Sequence, residues 1–222
     1  MALLLAGIFL FVYPFLAEGG MAVSPELHQE ILKGLELLYN AEFEKGREQC
    51  ARVISFDPSH PVGPFCKAIA YWREMRREKK NPDKLKSFEL SIDETIGKAR
   101  AFLKGKEHEA TAYFFLGAAY GFRGLLYGSQ RKWLFAYING RRGKEFLEKT
   151  LEIDPEYYDA YLGLGMYNYT LARLPSRMKV LSFLLMIKGN EDEAIRQLRV
   201  SMEKGVYTRT EAKVFLADAL VA

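Results

Sequence analysis

Three histidines and two cysteines are the side chains best suited to chemistry in this chain, and their spacing denies them most of it. His28, His60 and His108 lie far apart, with no acidic or thiol partner at the spacing of a metal site or a nucleophile–base pair. The sequence contains no H-E-x-x-H, no C-x-x-C, no G-x-S-x-G and no G-x-x-x-x-G-K-S/T. Gly163-Leu164-Gly165 lacks both a preceding strand and the third glycine of a dinucleotide loop. The chain therefore reads as a non-enzyme, with no catalytic residue, metal ligand or cofactor expected.

Composition describes an ordinary folded protein: 49% hydrophobic and 27% charged residues. A net charge of +4 over 222 residues lacks the concentrated basic face that nucleic acid would need. Residues 2–17, ALLLAGIFLFVYPFLA, are continuously apolar but shorter than the roughly 20 residues of a membrane span, and Pro14 falls near their end. Small residues follow, suited to cleavage after Gly19 or Ala22. Residues 1–22 thus read first as a cleaved export signal, second as an uncleaved anchor, and third as a mis-assigned start with Met21 as initiator. A positively charged n-region is missing. Removing the segment takes away one acidic residue, Glu18, and leaves 32 basic against 27 acidic side chains, a net charge of +5. The expected location is the periplasm or the outer membrane.

The remainder, residues 23–222, is punctuated by helix stops and restarts. GKEFLEKTLEIDPEYYDAYLGLGMYN, from Gly143 to Asn168, ends one amphipathic helix at Asp154-Pro155 and starts another. Pro155 cannot continue the incoming helix and suits the first position of the next. Asp57-Pro58 repeats the arrangement. Elsewhere Ser24-Pro25 opens a helix, and Leu85, Phe88, Ile92, Ile96, Ala99 and Leu103 keep helical spacing after Asn81-Pro82. Asn190 with Glu193 and Thr208 with Glu211 read as capping boxes. A helix-turn-helix recurring with a period in the mid-thirties predicts an all-α stack of about four helical pairs and a terminal helix. The units span about 25–60, 61–106, 107–154 and 155–207, with a partial fifth at 208–222. The apolar final residues ALVA suggest that the chain continues beyond Ala222, because a terminal repeat should be polar outside.

These signatures resemble the tetratricopeptide repeat family, which asks for a bulky residue, Leu-Gly and then Tyr on the first helix of each pair. Tyr113, Leu116, Gly117 and Tyr120 supply them in the third unit. Tyr161, Leu164 and Gly165 do so in the fourth, with Asn168 in the Tyr place; Gly34 and Pro58 fit the first unit, and Ala68 and Tyr71 the second. Tyr167, Tyr169, Leu174-Pro175, an apolar stretch and Gly189-Asn190 also look like a group of exported bacterial repeat proteins of unassigned role. The resemblance implies an α-α superhelix, a solenoid whose concave groove binds a peptide or protein partner. It does not name that partner, because the family is a scaffold.

By the same register the groove would be lined by Phe65, Ile69, Trp72 and Arg73, then Thr111, Phe114 and Phe122, then Asp159, Leu162, Met166 and Tyr169. A lining so poor in charge suits an apolar or aromatic-bearing peptide. The alternative is that these side chains are core, as aromatic stripes at helical spacing usually are. In the same register Cys50 and Cys66 sit on packed neighbouring helices. A disulfide becomes permitted if the chain is exported, but two buried thiols acting as apolar fillers are the favoured reading.

Two stretches could touch a membrane. Val180–Ile187, flanked by Arg177, Lys179 and Lys188, reads first as a segment that folds back over an exposed apolar face of the long third unit. It also has the pattern of an interfacial helix, giving the alternative of a peripheral membrane protein. The stretch Arg131–Lys144, RKWLFAYINGRRGK, interleaves basic and aromatic residues. It reads as ordinary amphipathicity, with Trp133, Tyr137 and Gly140 on one helical face and the Arg residues largely on others.

Overall fold

The computed structural model describes residues 20–78, 81–105, 108–174 and 189–221, and among them nine α-helices and no strand. The helices are α1 (Pro25–Tyr39), α2 (Phe43–Phe56), α3 (Val62–Arg77), α4 (Pro82–Gly105), α5 (Glu109–Ser129), α6 (Trp133–Ile153), α7 (Ala160–Ala172), α8 (Glu191–Lys204) and α9 (Arg209–Val221). Each packs on its neighbours in sequence. Each odd-numbered helix also packs on the next odd-numbered one, whereas no even-numbered helix touches another among the described residues. The all-α expectation is what the structure displays. Val180–Ile187 lies outside the described residues.

The local signals explain most boundaries. The Ser24 hydroxyl accepts from Leu27 N–H and Pro25 follows it, which starts α1. Asn190 does the same for α8 through Glu193 N–H at 3.0 Å. The turns α1–α2 and α5–α6 are built alike. Glu42 N–H donates to Leu37 O and Lys132 N–H to Tyr127 O, with Ala41 and Arg131 both at φ +59°. Such left-handed caps usually carry glycine.

The turns before α3 and α7 also match each other. Asp57 Oδ1 accepts from Ser59 N–H and Asp154 Oδ1 from Glu156 N–H, while their carbonyls accept from His60 and Tyr157 N–H. This hydrogen bonding corrects one expectation: Pro155 lies inside the turn, and α7 starts only at Ala160. Thr208 does not cap α9 as expected. Its hydroxyl and N–H both donate to Asp159 Oδ1, and Glu211 pairs with Arg73.

One core runs through the array. Phe88, Ile92 and Ala99 of α4 are buried under α3 and α5, joined by Phe115, Leu116 and Leu147. Each such aliphatic or aromatic side chain contributes roughly 1.5–3 kcal/mol on burial. Between α5 and α6 the backbones themselves approach. A Cβ on Gly143 would meet Gly117 O and Gly121 N at 2.9 Å, so no larger residue fits.

Cys50 of α2 and Cys66 of α3 are bonded, with Cα atoms 5.5 Å apart, and both are buried. This corrects the preference for free thiols. They stand on adjoining helices, as the register requires, and their separation lies in the bridging range. Gly34 faces the bond, where a Cβ would meet Cys66 Sγ at 3.6 Å.

Candidate functional site

The side chains assigned to a groove lie along the odd-numbered helices, and most are spoken for. Phe65 and Phe114 are buried. The Phe65 ring packs edge-on against Phe115 and Phe122 at 5.5 Å, and Phe114 lies over Tyr157 at 4.8 Å. Trp72 is wedged between Phe88 at 5.5 Å and Phe122 at 5.8 Å, with Ile69 beside them. The aromatic stripe in the second and third units is therefore largely core. Offset and edge-on aromatic pairs of this kind each add about 0.5–1.5 kcal/mol beyond their buried area.

Two charged members are committed to structure. The Arg73 guanidinium stacks on the Tyr39 ring at 4.4 Å and pairs with Glu211 of α9. Burial pushes the Tyr39 hydroxyl up to about 12, keeping it neutral beside that pair. Asp159, only 3% exposed, accepts at Oδ1 from Tyr207 N–H, Thr208 N–H and the Thr208 hydroxyl. Desolvation nonetheless raises its pKa. Met166 and Tyr169 of α7 remain partly exposed, with Tyr169 edge-on to Phe215 at 5.4 Å.

What lies against this inner row is the segment at residues 20–23. Residues 21–23 have no regular secondary structure and precede the Ser24 cap. Ala22 N–H donates to Thr111 Oγ1 of α5 at 3.3 Å, and Gly20 N–H to Asp154 Oδ2 at 3.0 Å. Met21 and Val23 pack on the core. Ala22 stands two residues before the cap, a reach of roughly 7 Å. The start of α5 therefore lies close to that of α1, and the row of odd helices is curved.

The ends of the array meet as well. His28 Nδ1 and Tyr207 Oη are 2.7 Å apart, and the rings meet edge-on at 5.4 Å.

Sequence reasoning missed the residues that make these contacts, His28, Asp154, Tyr157 and Tyr207. A usable signal was present in the two Asp-Pro turns, each with an aromatic ring three residues after the Asp: His60 and Tyr157. Both are buried, and His60 Nε2 and Tyr157 Oη have no hydrogen-bond partner among the described residues. Burial lowers His60 to about 4, and its Nδ1 accepts from Val62 N–H, so the ring is neutral with its proton on Nε2.

A second surface differs in kind. Trp133, Leu134, Phe135 and Ile138 at the start of α6 are all exposed, between Arg131, Lys132 and Arg141. The Trp133 ring is 44% exposed; the α5–α6 contact at this end is made one turn on, by Ala136 against Gly124 and Gly128. Among the described residues no helix is long and apolar enough to cross a membrane, and no group of His, Cys, Asp and Glu could hold a metal ion. No protein-family model, curated protein or solved structure matches the chain.

Proposed function

We propose that this protein is a non-enzymatic interaction scaffold of the bacterial cell envelope, a superhelix of tetratricopeptide-like pairs that holds an extended segment against its odd-numbered helices. One observation carries the reading. Residues 20–23 lie across the starts of these helices, with main-chain donors on Thr111 and Asp154 and side chains on the core. Main-chain bonds combined with apolar pockets are how extended peptides are recognised. The partner is a protein or peptide and not nucleic acid. Crosslinking capture from an envelope fraction tests this, comparing the native protein with a Met166→Arg, Tyr169→Ala variant that keeps its helical circular dichroism. Loss of one discrete adduct in the variant is expected; equal capture by both would remove the inner face from consideration.

The exposed start of α6 favours a second reading, peripheral membrane contact. Aromatic and aliphatic side chains flanked by Arg and Lys suit the boundary between acyl chains and anionic headgroups. On this reading α6 acts beside, or in place of, residues 180–187. Co-sedimentation with anionic vesicles, lost in Phe135→Asp, is the expected result; no sedimentation of the native protein would end it.

A further inference from the structure

The two cleavage positions that the sequence leaves open have different structural consequences. Cutting after Ala22 would remove three residues that the fold uses: Gly20, bonded to Asp154; Met21, packed on the core; and Ala22, bonded to Thr111. Cutting after Gly19 would keep all three.

We propose that the peptide bond between Gly19 and Gly20 is hydrolysed during export and that the ammonium formed on Gly20 is held by the Asp154 carboxylate. Asp154 is built for such a donor. Its Oδ1 is occupied by Glu156 N–H within its own turn, whereas Oδ2 is aimed at the main-chain nitrogen of a residue 134 positions away. An ionised acceptor gains most from an ionised donor, such hydrogen bonds being roughly twice as strong as neutral ones. Ala17 and Gly19 place small side chains third and first before the bond, as leader-cleaving endopeptidases require. Water supplies the other reactant. Its oxygen ends in the Gly19 carboxylate as the C–N bond breaks, and the Gly20 nitrogen departs protonated. The first residues of the mature protein would then lie along its own inner face, anchored at the charged end.

The proposal rests on the export reading and not on the partner-binding one, and its test separates the outcomes. The whole chain is expressed in a bacterial host, and the intact mass of protein recovered from the periplasm is measured. A first residue of Gly20 is expected. A first residue of Val23 overturns the proposal and leaves export standing, whereas only uncut chain in the cytoplasm overturns both. On the Gly20 form, Asp154→Asn keeps the turn's acceptor, and selective acetylation removes the terminal charge without touching the fold. Each should lower the Tm by about 2–4 °C. Together they should lower it no further than either alone, since both remove the same pair. Additive losses would show that Asp154 does not hold the terminus.

Discussion

His28 of α1 and Tyr207, in the turn before α9, share a 2.7 Å hydrogen bond although 179 residues separate them. A stack of helices in which each touched only its neighbours could fray from either end. Here the bond and the Arg73–Glu211 pair tie the first two odd helices to the last part of the chain. Tyr207→Phe keeps the ring contact and should cost about 1 kcal/mol in urea unfolding. Arg73→Leu, which also removes the stacking on Tyr39, should speed amide exchange in α9 more than in α5. Uniform exchange changes would show that the ends are not coupled.

The bond between Cys50 and Cys66 should resist reductant in the folded protein, since both residues are buried. Closing a loop of this length adds about 3 kcal/mol in the chain-entropy model. Unfolding with and without reductant should reveal a difference of that order. Thiol titration of unreduced, denatured protein should find no free thiols.

Gly143 and Gly121 give opposite expectations within one helix pair. A Cβ at Gly143 meets backbone at 2.9 Å, whereas a Cβ at Gly121 meets nothing within 4 Å. Gly143→Ala must push α5 and α6 apart and should cost about 1–3 kcal/mol. Gly121→Ala should stabilise by up to about 1 kcal/mol through helix propensity. Thermal unfolding of both variants checks the pair.

His60 makes stability depend on pH. Its folded value of about 4 lies below the ordinary 6.5, so the folded state prefers the neutral ring. The resulting stability is complete above pH 6.5 and is lost as pH falls towards 4, about 3 kcal/mol in all. His60→Asn, which can still accept from Val62 N–H, removes this titration. The stability difference between native protein and variant should therefore shrink from pH 7.5 to pH 4.5.

Asp159 distinguishes hydrogen bonding from charge. Asp159→Ala strips the acceptor from three donors and should cost about 2–3 kcal/mol. Asp159→Asn keeps the acceptor oxygen and relieves the desolvation that raises the carboxyl pKa, so it should cost much less. Equal losses in chemical denaturation would show that the charge itself is required.

The helices were legible because their signals are local: a cap at Ser24, prolines at 58 and 155, and the three-and-four spacing of α4. What was not legible depends on curvature. Nothing near Arg73 indicates Glu211, and nothing near Gly20 indicates Asp154, because these contacts arise only when the odd helices bend into a row. From sequence the aromatic stripe reads as either groove or core; the structure divides it, burying Phe65 and Phe114 and leaving Met166 and Tyr169 partly accessible. The exposure of Trp133 is not legible either, because helical spacing identifies a face but not whether anything covers it.

The sulfur link joins α2 to α3, the helix that follows it, and leaves α1 untied. Drawn out by its two ends, the molecule would pay out slack from its untethered portions, while the span between positions 50 and 66 added no contour length. The unbridged later helices would act as the extensible part of the chain, and the early seam as the stop.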